Sequence, residues 1–138
     1  MNTRLVSIAL LGTLLTTPVA SPAAQLTPDA TLARHVALEA EYRPAGEVRG
    51  TLTNIGEQAL GGIVLLVRHG WLWRDELHPG PDDPSWADYV SVDQRLEPGA
   101  STTFVYRPAT PPPVRDDGRF TRDVEVVGAT VYRYADPR

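Results

Sequence analysis

The chain is predicted to fold as an all-β protein, an antiparallel β-sandwich of six or seven strands, and three observations predict it. Apolar and polar residues alternate with period two along most of the chain, and clusters of Pro, Gly and Asn interrupt that alternation at short intervals. No stretch beyond the first residues keeps a helical period long enough to cover a parallel sheet.

The start of the chain is read differently. Asn2-Thr3-Arg4 gives a positive opening, Leu5 to Leu15 a short apolar run, and Thr16 to Ala24 a small-residue exit, the pattern of a secretory leader. Residues 1–24 are therefore expected to be removed, with cleavage after Ala23 or Ala24. Residues 25–34 then form a lead-in and 35–138 the sandwich, located in the periplasm or outside the cell. The apolar run falls short of the roughly 20 residues a membrane-crossing helix needs, and no later stretch is longer, so no membrane span is expected.

With no cysteine in 138 residues, neither a lipid anchor nor a disulfide framework is available. Stability must come from an apolar core, for which a 42% hydrophobic composition suffices. Thirteen basic residues, all arginine, face 17 acidic ones. Losing Arg4 with the leader leaves a net charge of about −5, which disfavours nucleic acid and anionic membranes as partners.

The elements follow in order. Val36, Leu38, Ala40 and Tyr42 alternate with His35, Ala37, Glu39 and Glu41, a first strand with one wet face. Pro44-Ala45-Gly46 turns the chain, and Val48, Gly50 and Leu52 alternate along the returning strand of a hairpin that ends at Asn54-Ile55-Gly56-Glu57. Ile63 to Val67 is apolar on both faces, a central strand, and its continuation puts His69, Trp71 and Trp73 in phase with Ile63, Leu65 and Val67. A polar excursion from Asp75 to Ser85 precedes a fourth strand, Trp86 to Leu96. Glu97-Pro98-Gly99 leads into a fifth, Ser101 to Arg107, with Phe104 and Tyr106 inward. Pro108 to Gly118 contains three consecutive prolines, cannot be helical, and is expected to cross between sheets. Val124 to Tyr134 closes the domain, and a helical turn near Pro28 to Ala33, capped by Thr27, is the remaining local signal.

Val48-Arg49-Gly50-Thr51-Leu52-Thr53-Asn54-Ile55-Gly56, then Leu60, an apolar strand, and Leu96-Glu97-Pro98-Gly99 before Phe104 resemble the bacterial extracytoplasmic immunoglobulin-like domains of the FxLYD type. The likeness covers about Val36 to Arg107. It implies an immunoglobulin-like sandwich, with Asn-x-Gly ending one strand and Leu-x-Pro-Gly starting another, and a binding or presentation module rather than an enzyme. Where that group has a Phe-x-Leu-Tyr-Asp-like strand end, this chain has Val67-Arg68-His69-Gly70-Trp71.

The residues themselves give no catalytic set. His35, His69 and His78 form no His-x-His or His-x-x-x-His pair. Asp75, Glu76, His78, Asp82, Asp83 and Asp88 crowd the long loop without the spacing of a dedicated calcium loop, so they read as a solvated acidic loop. No metal and no cofactor are expected. No Gly-x-Ser-x-Gly elbow exists, and Ser85, Ser91 and Ser101 have no base nearby in sequence. Glu39 and Glu41 share a wet face that would not raise either pKa.

The aromatic residues remain. Trp71, Trp73, Trp86 and Tyr89 bracket the long loop that carries Asp82 and Asp83, and these six form the candidate partner or ligand surface. Trp71 and Trp73 are in phase with the core; Trp86 sits at the loop edge. Two functions follow. One is a non-catalytic interaction module that binds another protein of the envelope; the other is a carbohydrate-binding module that stacks a sugar on Trp86 with Tyr89 or Trp71.

Overall fold

The computed structural model describes residues 24–26 and 29–133; of the expected leader, residues 1–23 lie outside them. Seven strands occur in the order β1 Ala24–Leu26, β2 Val36–Tyr42, β3 Val48–Asn54, β4 Ala59–Trp73, β5 Trp86–Val92, β6 Ser101–Tyr106 and β7 Gly118–Tyr132. A short helix, α1 Asp29–Leu32, follows β1, and a single 3₁₀ turn, Pro44–Gly46, joins β2 to β3. All pairings are antiparallel.

One sheet has the order β2-β3-β6 and the other β1-β7-β4-β5, so the chain crosses between layers after β1, β3, β5 and β6. These crossings reproduce an immunoglobulin-like order. The first sheet corresponds to strands A, B and E, and β5, β4 and β7 to C′, C and F. Among the described residues the lane of a last strand G is held only by β1, which pairs with Thr130–Tyr132.

Between the layers, Val48 and Leu52 of β3 and Phe104 and Tyr106 of β6 meet Ile63, Leu65 and Val67 of β4 and Val124 and Val131 of β7, all buried. Each such side chain contributes about 1.5–3 kcal/mol by leaving water. The alternation in the sequence thus identified both inner faces, and Leu32 of α1 adds to the core from the open side.

Three boundaries differ from expectation. β5 stops at Val92, because the polar Asp93-Gln94-Arg95 leaves the sheet and only Leu96 returns, in a two-way backbone bridge with Leu60 (2.8 and 2.7 Å). β7 starts at Gly118, six residues before Val124, because the end of β4 reaches Trp73 and offers Gly118–Asp123 a pairing partner. β1 was not foreseen. The helical turn is present at Asp29–Leu32, while its expected cap Thr27 and Pro28 lie outside the described residues.

Asn54 and the Leu96–Gly99 turn, distant in sequence, are fastened to each other. Asn54 is fully buried; its Nδ2 donates to Gln58 O at 2.8 Å and Leu96 O at 2.9 Å, and its Oδ1 accepts from Gly56 N at 2.9 Å. Its carbonyl accepts from Gly99 N, where a φ of +81° makes the bend.

Candidate functional site

The last third of β4 and the two long loops beside it form the tip of the sandwich. Trp71 is 9% exposed and packs edge-on against Phe120 at 4.6 Å and Trp73 at 6.1 Å. Arg115, from the loop after β6, lies over both indoles, 5.3 Å from Trp71 and 5.5 Å from Trp73. Two carboxylates fix that guanidinium: Asp117 in bidentate fashion (2.9 and 2.5 Å) and Asp82 at 2.9 Å. The hydrogen bond from Arg115 holds the Asp117 carboxyl below its ordinary range.

Asp83 acts within its own loop. Its Oδ1 accepts from Ser85 N at 2.9 Å and Ser85 Oγ at 2.6 Å, which holds its pKa down, and Ser85 Oγ accepts from Trp71 N at 3.0 Å. Asp75 pairs with His78 at 2.8 Å. The acidic loop is thus divided among separate partners and latched to the proline-rich crossing.

Behind this tip is a polar strip in the core. His69 is fully buried, and Trp86 stacks on it at 4.2 Å with 4° between the ring planes. Its Nε2 donates to Gly46 O at 3.2 Å; a carbonyl can only accept, so the proton of the neutral ring sits on Nε2. Nδ1 is left with a bare lone pair and no partner. Burial holds the His69 pKa below its usual range, with Arg122 adding to the effect and the Gly46 bond and Asp88 opposing it.

From Trp86 a chain of donors runs outward. Trp86 Nε1 donates to Tyr106 Oη at 3.3 Å, and Tyr106 donates to Asp88 Oδ2 at 2.5 Å. Burial first, and Asp88 second, push the Tyr106 pKa up, so the phenol remains a donor. Asp88 and Trp86 line a groove of about 360 Å³ walled by Pro108, Pro111 and Pro113. Among the described residues Asp88 has no cationic partner.

The six residues singled out from sequence do not form one surface. Trp71 is buried, so it is removed from the surface and assigned to the core wall; Trp73 is partly covered by Arg115 and Gly80. Asp82 and Asp83 fasten loops. Trp86 and Tyr89 lie on opposite faces of β5: Trp86 is opposite His69, facing inward, while Tyr89 is opposite Leu66, facing out and 71% exposed. Positions three apart on a strand cannot share a face, so the pairing of Trp86 with Tyr89 is corrected to Trp86 with Asp88. Parity alone could have found Asp88; nothing local announced Arg115, whose contacts span more than 30 residues.

No protein-family model, curated protein or solved structure matches this chain.

Proposed function

We propose that this chain is an exported, non-catalytic interaction module of the cell envelope, and that its recognition point is the Trp86–Asp88 groove. One observation carries the reading. Asp88 is oriented by Tyr106 at 2.5 Å, has no cation of its own among the described residues, and opens onto a groove with proline walls. A fixed carboxylate in partly apolar surroundings favours an incoming cation, because the hydrogen bond formed is charge-assisted and few waters screen it. The partner's matching group is an Arg or Lys side chain on an extended segment of another protein.

Pre-organisation supports the same reading. Arg115 clamps both long loops onto Trp71 and Trp73, so little ordering is left for a partner to induce. The leader pattern and the resemblance carried by Val48–Gly56 and Leu96–Gly99 favour an exported binding domain. His69 is sealed and its Nε2 committed, which favours packing over proton transfer. A sugar platform has less support: Trp86 has one face on His69 and an edge-on contact with Phe120 at 5.3 Å, and Tyr89 stands apart from it.

Tryptophan fluorescence of the purified protein, titrated with an arginine-containing hexapeptide, a matched glutamate peptide and soluble glycans, tests the reading. The arginine peptide is expected to saturate, and Asp88→Asn to weaken it by about tenfold or more, the value of a hydrogen bond to a charged group. Equal binding of the arginine and glutamate peptides, no binding, or indifference to Asp88→Asn rejects the groove. Glycan quenching abolished by Trp86→Ala would transfer the function to carbohydrate.

A further inference from the structure

The pairing of β7 is lopsided. On one side it pairs with β4 from Gly118 to Tyr132; on the other, among the described residues, only Thr130–Tyr132 have a strand beside them, β1. Leu32 and Ala33 line a hollow with Val124–Val126, and among the described residues no strand pairs with Gly118–Asp123 on this side. An edge of this kind presents alternate N–H and C=O groups to whatever extended backbone arrives.

The side chains along this edge select an occupant. Leu72, Gly70 and Arg68 of β4 lie opposite Arg119, Thr121 and Asp123, and the Arg68–Asp123 ion pair at 3.0 Å puts this set on the outer face. Arg119 is exposed and has no ion-pair partner among the described residues. A second β7 running antiparallel must match inner face to inner face, so its two-fold axis passes through a residue. Centred on Arg122 or Asp123, the pairing sets a charge against itself, which is unfavourable for residues directly opposite. Centred on Phe120, it places Arg119 against an uncharged threonine. Centred on Thr121, it places Arg119 opposite Asp123 twice, once on each side of the axis, with Thr121 facing Thr121.

We propose that a second copy of this chain occupies this edge, paired antiparallel through β7 about Thr121. The β5-β4-β7 order of one copy then continues as β7-β4-β5 in the other. A contact of about seven residues a side is smaller than a standard interface, so the dimer is a weak one, with Kd on the order of tens of micromolar. This leaves the Trp86–Asp88 groove outside the contact, and either proposal can fail without the other.

Because the chain lacks cysteine, single-cysteine variants report the geometry directly. Facing residues in an antiparallel pair have Cα atoms about 4.5–5.5 Å apart, within disulfide reach. Under mild oxidation Thr121→Cys is expected to cross-link far faster than Thr103→Cys on the outer face of the other sheet. In sedimentation equilibrium Arg119→Asp is expected to raise Kd about tenfold, since two like-charge pairs replace two attractive ones, and adding Asp123→Arg to it is expected to restore dimerisation. All four positions are exposed, and an unchanged circular dichroism spectrum confirms folding of each variant. A protein that stays monomeric at millimolar concentration, a dimer indifferent to Arg119→Asp, or equal cross-linking of the two cysteine variants overturns the proposal.

Discussion

The two ends of β4 are stabilised by different means. Around Leu60, Leu52, Ile63 and Leu96 the interior is aliphatic and fully buried, and the one polar side chain there, Asn54, has all three of its hydrogen bonds. Around His69, Trp71, Trp86 and Tyr106 the interior is aromatic and polar, and two buried nitrogens, His69 Nδ1 and Trp71 Nε1, have no partner. Both ends belong to one strand, whose alternation changes phase at the irregularity between Gly61 and Leu65, and both are buried, so what separates them is the satisfaction of polar groups rather than burial. Among the described residues the buried polar side chain of the first end, Asn54, does not titrate, whereas that of the second, His69, does.

The largest expected effect tests the aliphatic end. Leu60→Ala removes a side chain with no exposure and leaves a cavity, costing about 2–5 kcal/mol in urea unfolding. Next comes Asn54→Ala, which leaves the carbonyl of Gln58 and the N–H of Gly56 without their partner, while the Leu96 carbonyl keeps its bond from Leu60 N. At roughly 1 kcal/mol or more for each of the two orphans, about 2 kcal/mol is expected in the same assay. A loss much smaller than that would mean water replaces the side chain and this end is less closed than its burial indicates.

A third effect separates the ends by pH. The folded His69 ring binds its proton only below the ordinary imidazole value of 6.5, whereas the unfolded ring binds it near that value. The unfolded state therefore takes up the proton first, and stability falls as pH drops below about 6.5, until the folded ring protonates as well. The carboxylates held down by arginine, Glu47, Asp117 and Glu125, contribute their losses at lower pH, below the ordinary carboxylate range. His69→Gln retains a donor for Gly46 O and is expected to flatten the slope between pH 6.5 and 5. An unchanged slope would assign it to other groups.

The smallest effect is local. Arg115→Ala is expected to leave the global unfolding midpoint almost unchanged while speeding amide hydrogen exchange through residues 74–85, since it removes the link from Asp82 to Asp117 and the cover over two indoles.

These contrasts also explain what the sequence could convey. Period-two alternation identified most of the strands and the inward turn of Phe104 and Tyr106, because strand parity is local information, and three consecutive prolines marked the crossing at Pro108–Gly118. The start of β7 was missed because Arg119 to Asp123 has a single apolar residue, and its strand character comes from β4 across the sheet. At the tip, proximity along the chain is no guide to proximity in space. Asp82 and Asp83 adjoin in sequence but serve different partners, and Trp86 was grouped with Tyr89 although a strand turns them apart. Arg115 was not legible at all, since a guanidinium in a coil acquires its meaning only from what the fold brings beneath it.

Gly50 carries one more consequence. It lies in mid-strand on β3, between Ala40 and Phe104, and a methyl group there would come within 2.6 Å of the Phe104 ring and closer still to the carbonyl oxygen of Glu39. The phenyl ring thus drops into a notch that no other residue of β3 provides. Sliding β3 by two positions along β6 would thrust Val48 or Leu52 under the ring, so the pairing of these two strands is keyed to a single alignment by an atom that is not there.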